Sequence, residues 1–188
     1  MDRRVGKTKK AIQAAYFDLL KEKGNEKISV TEIARAADID RKTFYLHYES
    51  TDQIIREFAK AKTKELLLRL TVKSFFLRSF DKEIFAREAN AMLGEHLEFA
   101  QMLARNPNLN FFWSQVQDTS VEMLVEIYAR HSKLPKSDLN IRVTYFVAGA
   151  SSVYQRWLRG EIPCSLEELG EKASEIAFYG AQSLLQNS

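Results

Sequence analysis

A short stretch of the chain, residues 41–47, is rich in side chains that can donate hydrogen bonds. Its donors are Arg41, Lys42, Thr43, Tyr45 and His47. An arginine can bind the O6 and N7 atoms of guanine through two hydrogen bonds, and hydroxyl groups can hold phosphates. If the stretch is a helix with Phe44 on its inner side, its outer side suits insertion into the major groove of DNA.

Two short predicted helices, joined by a tight turn, would position these donors. Ser29 and Glu32 have the spacing of a capping box, which predicts that the first helix begins after Ser29. Asp40 is a good N-cap for a second helix that begins at Arg41. Phe44 and Tyr48, four residues apart, share one face of that helix. The pattern predicts a helix-turn-helix over about residues 30–47, with 41–47 as the recognition helix. An ordinary helical hairpin with a solvated face is the alternative.

Residues from about Lys7 to Phe58 resemble the TetR family of transcriptional regulators. The resemblance rests on the block Ile33-Ala34, Ala37 and Ile39, and on the run Arg41-Lys42-Thr43-Phe44-Tyr45-Leu46-His47-Tyr48. A run of Thr-Phe-Tyr-x-His-Tyr after a helix-turn-helix is a specific signature of that family. The resemblance implies a dimeric regulator with an N-terminal DNA-binding head and a larger helical domain behind it.

Single residues have expected roles in DNA binding. Arg41, Lys42 and Asp40 are expected to contact base edges, although helix capping is the favoured role of Asp40. The resemblance implies that the residues contacting phosphates are Thr8, Lys10, Thr31, Thr43, Tyr45 and His47. The family usually has a phosphate-binding lysine in the first turn of the fourth helix. Thr51 takes that position here, which removes one charge and leaves at most a weaker neutral hydrogen bond.

The excess positive charge lies in the predicted head. The chain has a formal net charge of +3, and residues 1–50 carry 11 Lys and Arg against 8 Asp and Glu, whereas residues 51–188 carry 17 of each. Five of the basic residues fall within residues 1–10. A basic arm beside a helix-turn-helix is the expected footprint of DNA binding, with a solvated tail as the alternative.

The rest of the chain has the pattern of an all-α protein. Glycine and proline are sparse, at 7 and 3 residues of 188. Apolar residues recur at helical spacing in segments that end at Gly94, Asn106-Pro107-Asn108, Leu134-Pro135-Lys136 and Gly160–Pro163. A second capping box, Ser165 with Glu168, predicts the start of the last helix. We therefore predict a DNA-binding domain over 1–50 and a helical regulatory and dimerisation domain over 51–188.

The last two predicted helices are apolar on more than one side. Their surplus apolar residues are Val143, Phe146, Val147, Ala150, Leu158, Ile176, Phe178, Tyr179, Leu184 and Leu185. Such a surplus usually marks an interface. A homodimer would place two recognition helices about 34 Å apart, so that they contact the two half-sites of a palindrome.

An effector pocket in the larger domain is a weaker prediction. Aromatic residues could line it and polar residues could orient a ligand, although aromatics on helices more often belong to a core. The candidates are Phe112, Trp113, Tyr128, Arg142, Tyr145, Phe146, Tyr154 and Gln155. The effector itself is not identified by the sequence.

Other classes of function have little support. Gly149-Ala-Ser151-Ser-Val153 lacks the closing glycine of a nucleophile elbow, and no P-loop, dinucleotide-binding or zinc-protease motif is present. His96 and His131 stand alone, so we expect no metal site and no cofactor. One cysteine, no membrane-spanning run and no signal peptide favour the cytoplasm. The predicted function is a repressor released by a small molecule. The alternatives are a ligand- or partner-dependent activator and a helical adaptor protein.

Overall fold

All regular secondary structure in the part of the chain that is described is helical. The computed structural model describes residues 3–24, 26–72 and 82–185. Its helices are α1 (Arg3–Lys23), α2 (Val30–Ala36), α3 (Arg41–Tyr45), α4 (Thr51–Val72), α5 (Lys82–Gly94), α6 (Leu97–Arg105), α7 (Asn110–Ala129), α8 (Lys136–Leu158) and α9 (Leu166–Leu185). A single 3-10 turn, Pro107–Leu109, precedes α7. The predicted all-α fold is confirmed.

Both predicted capping boxes are present. The Ser29 hydroxyl accepts a hydrogen bond from the Glu32 N–H at 3.3 Å, and the Glu32 carboxylate accepts one from the Ser29 N–H at 2.9 Å. The same two bonds join Ser165 and Glu168, at 3.1 Å and 2.8 Å. Each box satisfies backbone donors that a helix N-terminus leaves without partners. Helices α2 and α9 therefore begin where their local sequence directs them.

Other helix boundaries differ slightly from the prediction. The sequence predicts that the helix ending at Leu158 begins at Asp138. It begins at Lys136 instead, because the carbonyl of Pro135 already accepts hydrogen bonds from the Asp138 and Leu139 N–H groups at 3.0 and 3.1 Å. Helix α3 ends at Tyr45. The sequence also predicts a connection over 74–79 and a helix cap at Asp81, and both lie outside the described residues.

A first core cluster joins the N-terminal helices to α6 and α7. Its members from the head include Ile12, Leu20, Ile33, Phe44 and Tyr48, and α6 and α7 contribute Leu103 and Phe112. A second cluster joins α4, α7 and α8, with Leu67, Tyr128, Leu139 and Val143 among its members. The head and the larger domain therefore share buried apolar surface.

The aromatic rings of Phe17, Phe58 and Phe99 connect α1, α4 and α6. Their ring centroids are 4.6, 5.4 and 5.8 Å apart, within the range of favourable aromatic pairs. Close by, the buried Asn106 side chain donates a hydrogen bond to the Gly24 carbonyl at 3.2 Å, just beyond the end of α1. These contacts hold the head on the larger domain from two sides.

The apolar surplus on α8 and α9 involves partly different residues from those predicted. Val143, Val147 and Leu158 are buried within this chain. The exposed large apolar residues on these helices are Ile141, Tyr145, Val153, Ile176 and Tyr179, and Tyr145 is 85% exposed. The side chains of Phe178, Leu184 and Leu185 lie outside the described residues. No described helix is both long enough and apolar enough to span a membrane.

Candidate nucleic-acid interface

The turn between α2 and α3 is made by Asp38 and Ile39. Asp38 has a φ of +52°, in the left-handed region that aspartate tolerates better than most residues. The Ile39 N–H then donates to the Ala34 carbonyl at 3.0 Å, and the Ile39 side chain packs against the first core cluster. The chain thereby reverses within a few residues and places α3 against α2.

Asp40 caps the recognition helix α3. Its carboxylate accepts a hydrogen bond from the Thr43 N–H at 2.7 Å. This backbone hydrogen bond is the main reason that the pKa of Asp40 is lowered from its ordinary value. The capping role therefore accounts for this residue type at this position, while a base contact by Asp40 stays a prediction.

Two buried rings hold α3 in place. Phe44 is fully buried and Tyr48 is 1% exposed. The Tyr48 hydroxyl accepts a hydrogen bond from the Gln13 amide of α1 at 3.0 Å, and the Lys9 ammonium lies 4.9 Å from the centre of its ring. Burial raises the pKa of Tyr48 to about 12, so its hydroxyl stays protonated. The inner side of α3 is thus fixed to α1.

The outer side of α3 carries the predicted base-contacting residues. Arg41, Lys42 and Tyr45 are exposed, whereas Thr43 and His47 are half-buried beside them. Exposed cations at the start of a short, well-anchored helix are the geometry by which a recognition helix meets base edges. All five donors thus lie on or next to the surface that α3 turns away from the core.

Three of the predicted phosphate contacts lie on α1 and α2. Lys10 of α1 and Thr31 of α2 are exposed, and Thr8 of α1 is half-buried. Thr51 is the first residue of α4 and is also half-buried. Lys9, in contrast, pairs with Glu57 of α4 at 2.9 Å, so this cation stabilises the joint between α1 and α4.

An ion pair links the end of α1 to the start of α2. The Lys23 ammonium donates a hydrogen bond to the Glu32 carboxylate, the same carboxylate that completes the capping box with Ser29. The bond to Lys23 is the largest cause of a Glu32 pKa lowered to about 2, and the bonds from Ser29 add to it. This pair connects the end of α1 to the start of the helix-turn-helix.

One residue of this surface was absent from the sequence-based set. Leu46 directly follows α3 and is 75% exposed. That set contains only hydrogen-bond donors and therefore leaves out the apolar residue between Tyr45 and His47. The signal was present in the sequence, because Leu46 lies four residues after Lys42 and therefore shares its helix face.

The eight predicted pocket residues are distributed over separate places. Phe112 lies in the first core cluster and Tyr128 in the second. Trp113 packs against the first cluster and Phe146 against the second. The structure therefore places these four aromatic residues in the cores that stabilise the fold.

The remaining four lie on α8. Arg142 and Tyr145 are on the surface. The Tyr154 hydroxyl is buried and has no hydrogen-bond partner among the described residues, and burial raises its pKa to about 12. Gln155 donates to the Ser151 hydroxyl at 2.9 Å within the same helix. The eight candidates are thus not brought together around one cavity.

A groove of about 430 Å³ runs instead between α7 and α8. None of the eight predicted pocket residues lines it. The residues that line it include Val121 and Val147 and the carboxylates Asp118 and Glu122. Glu126, on the same side, pairs with Lys136 at 2.6 Å, and this bond lowers the pKa of Glu126. The groove therefore lies apart from the predicted pocket residues.

Neither isolated histidine belongs to a cluster of potential metal ligands among the described residues. His96 and His131 are both exposed. Within residues 3–24, 26–72 and 82–185, no group of three or more His, Cys, Asp or Glu side chains is arranged to hold a metal ion.

Comparison with known proteins identifies relatives of the head. The family described as bacterial regulatory proteins, tetR family, matches residues 12–58. Over 89 residues the chain is 33% identical to the uncharacterized HTH-type transcriptional regulator YxbF of Bacillus subtilis (strain 168). That match covers 45% of this chain and spans 23% of the relative's length.

The fold of the whole chain also has counterparts. A solved structure from Syntrophomonas wolfei str. Goettingen, described as a TetR-family transcriptional regulator, has a TM-score of 0.64 at 14% identity and covers 96% of both chains. A second, from Mesorhizobium loti MAFF303099 and described in the same way, has a TM-score of 0.56 at 14% identity and covers 98% of both chains. At such low identity the likeness shows a common fold.

Proposed function

We propose that the chain is a transcriptional repressor of the TetR family that binds a palindromic operator, because residues 12–58 match that family and the whole chain shares its fold with solved structures described as TetR-family regulators. The observation that carries the proposal is the outer side of α3. There Arg41, Lys42 and Tyr45 are exposed on a short helix that two buried rings and an N-cap hold in place. The relatives are named as regulators and not as enzymes.

In the proposed complex, α3 lies in the major groove. Arg41 and Lys42 contact base edges, and each good bidentate contact contributes about 1–3 kcal/mol of discrimination between bases. Hydroxyl and imidazole donors beside them hold phosphates and so set the register of the helix. The phosphate-binding residues in this proposal are Thr8, Lys10, Thr31, Thr43, Tyr45 and His47.

The proposal includes a homodimer formed by α8 and α9. Ile141 and Tyr145 are exposed on one face of α8, where the small residues Gly149 and Ser152 continue the helical spacing, and Ile176 is exposed on α9. Large apolar side chains exposed in this way usually mark a protein interface. Pairing of this face with the same face of a second copy would set the separation of the two recognition helices. Two half-sites about one helical turn apart would then be bound together.

Release by a small molecule is the regulatory part of the proposal. A ligand bound in the helical domain over 51–188 would favour a different separation of the two heads, so that both could no longer occupy their half-sites. The shift cannot exceed the ligand's preference between the two arrangements. An activator that needs a ligand or a partner protein uses the same surface. Either kind of regulator would act in the cytoplasm, where it has access to DNA.

The test of DNA reading removes both predicted base-contacting cations. Selection of bound fragments from a random duplex library should first recover a palindrome with the unaltered protein. Arg41→Ala with Lys42→Ala should then weaken binding to that palindrome more than about 100-fold, because several contacts of about 1–3 kcal/mol are lost in two half-sites. Fluorescence anisotropy at near-physiological salt measures the affinity.

A matched control separates this loss from a general change in charge. Arg130→Ala with Lys133→Ala also removes two exposed cations, but from the segment between α7 and α8. This control should keep operator affinity within about two-fold, and both double variants should stay dimeric. Unchanged affinity of the Arg41 and Lys42 variant would refute the site assignment. A helical adaptor protein would show no operator binding in any variant.

A further inference from the structure

Leu46 is an apolar residue on the outward-facing side of the recognition helix. Leu46 is the C-cap of α3, with φ −70° and ψ −18°, and its N–H donates to the Lys42 carbonyl at 3.1 Å. Its backbone therefore continues the helical path for one more residue. The Leu46 side chain is 75% exposed, although Phe44, two residues earlier, is fully buried.

Helical geometry places Leu46 on the same side as the predicted base contacts. With 3.6 residues per turn, Arg41, Lys42, Tyr45 and Leu46 occupy adjacent positions on one half of the helix. Phe44 lies on the other side of the helix from Leu46 and is buried. A duplex that Arg41 and Lys42 reach therefore also lies within reach of Leu46.

The exposure of Leu46 is not explained by the proposed dimer. Four of the other highly exposed apolar residues, Ile141, Tyr145, Ile176 and Tyr179, lie on α8 and α9, where a second copy is proposed to cover them. Leu46 lies on the helix-turn-helix instead. In the major groove, the chemical group that suits an aliphatic side chain is the C5-methyl of thymine.

We infer that Leu46 determines specificity by packing against the C5-methyl group of a thymine in each operator half-site. This inference rests on the proposed function and names one base that the head selects. Leu46 thereby supplies an apolar contact that the donors of α3 cannot make.

The test removes single methyl groups from the DNA. Each thymine of the selected palindrome is replaced in turn by deoxyuridine, which differs only in lacking the C5-methyl. At one position per half-site, the replacement should weaken binding by the unaltered protein about four-fold, the equivalent of about 0.8 kcal/mol for one buried carbon. Leu46→Ala should bind the thymine operator more weakly and should lose the sensitivity to deoxyuridine at that position.

The control is a second exposed leucine. Leu68 of α4 is 56% exposed, and Leu68→Ala should keep both the affinity and the sensitivity to deoxyuridine. Thermal unfolding of Leu46→Ala should match that of the unaltered protein, because the side chain is largely outside the core.

The outcomes separate this inference from the proposed function. Recovery of a palindrome whose binding depends on no thymine methyl would overturn the role of Leu46 alone. Sensitivity to deoxyuridine that persists in Leu46→Ala would also overturn it, because another residue would then contact the methyl. Recovery of no palindrome by the unaltered protein would overturn the proposed operator reading, and the role of Leu46 with it.

Discussion

At the scale of single residues, Glu32 has two structural roles. Its carboxylate completes the capping box of α2 and also accepts a hydrogen bond from Lys23 at the end of α1. Because both interactions require the ionised form, the pKa of Glu32 falls from its ordinary value of 4.5 to about 2. One side chain thus joins the first helix to the helix-turn-helix.

This pKa predicts a dependence of stability on pH. A carboxylate whose pKa is lower in the folded state stabilises it fully above about pH 5, and this contribution is lost as the pH falls toward 2. Glu32→Gln keeps the cap but removes the charge, so it should be less stable than the unaltered protein at pH 7. Urea unfolding at pH 7 and pH 3 should show the two proteins converging at the lower pH.

Glu168→Gln is the control for this comparison. Glu168 makes the same capping box, but the main cause of its lowered pKa is the backbone hydrogen bond from Ser165 and not an ion pair. At pH 7 the free energy of unfolding should differ less between Glu168→Gln and the unaltered protein than between Glu32→Gln and the unaltered protein. Addition of 1 M salt should reduce the difference for Glu32→Gln more than the difference for Glu168→Gln. A stability gap between Glu32→Gln and the unaltered protein that is equal at both pH values would contradict the ion-pair account.

At the scale of helices, α3 is too short to be stable alone. Helices of fewer than about 12 residues are marginal in water, and α3 has five. Its stability comes from the Asp40 cap and from burial of Phe44 and Tyr48 against α1 and α4. The surface that would contact DNA is therefore only as rigid as the core beneath it.

Helices α5 and α9 approach each other closely at Gly170. A Cβ atom added there would lie 2.4 Å from the Asn90 side-chain nitrogen and 2.9 Å from its Cγ. Gly170→Ala should lower the free energy of unfolding by about 1 kcal/mol. Overpacking destabilises by about 1–3 kcal/mol, whereas replacing a helical glycine with alanine stabilises the helix by about 1 kcal/mol. Chemical denaturation measures the change.

The same substitution should change the free energy of unfolding in the opposite direction once Asn90 is truncated. In an Asn90→Ala background, Gly170→Ala should raise the free energy of unfolding by up to about 1 kcal/mol, since only the helix propensity remains. Additive effects of the two substitutions would show that Asn90 is not what limits the space at Gly170.

At the scale of the whole molecule, the head is attached to the larger domain by shared core. The aromatic rings of Phe17, Phe58 and Phe99 bring α1, α4 and α6 together, and Asn106 bonds to the Gly24 carbonyl. A displacement of α6 would therefore act on α1 directly as well as through α4. This arrangement is a physical route by which a ligand could alter the position of the head.

The proposed homodimer can be tested on its exposed apolar face. Tyr145 and Ile176 are 85% and 70% exposed, one on each of the last two helices. Tyr145→Asp with Ile176→Asp should convert the dimer to a monomer, because it places four carboxylates in one interface without disturbing either core. Analytical ultracentrifugation at micromolar concentration measures the mass.

Leu68→Asp serves as the control, because it changes a residue of similar exposure on α4 and should leave the dimer intact. Loss of the dimer should also weaken operator binding, because one head alone contacts one half-site. A double variant that stays dimeric would show that the copies associate through another surface.

The sequence by itself determined what depends on residues close together in the chain. The two capping boxes, the Asp40 cap and the breaks at Gly94 and Pro135 each involve neighbours within five positions, so their chemistry is readable without a fold. The signature after the turn likewise identified the helix-turn-helix, in agreement with the family match over residues 12–58.

Tertiary structure alone decided which of several apolar faces is turned inward. Val143 and Val147 are buried while Tyr145 between them is exposed, and the predicted pocket residues Phe112 and Tyr128 lie in two different cores. The contact of Gly170 with Asn90 joins residues that are far apart in the chain. Helical periodicity shows that a face is apolar, but only the packing of distant helices determines what that face contacts.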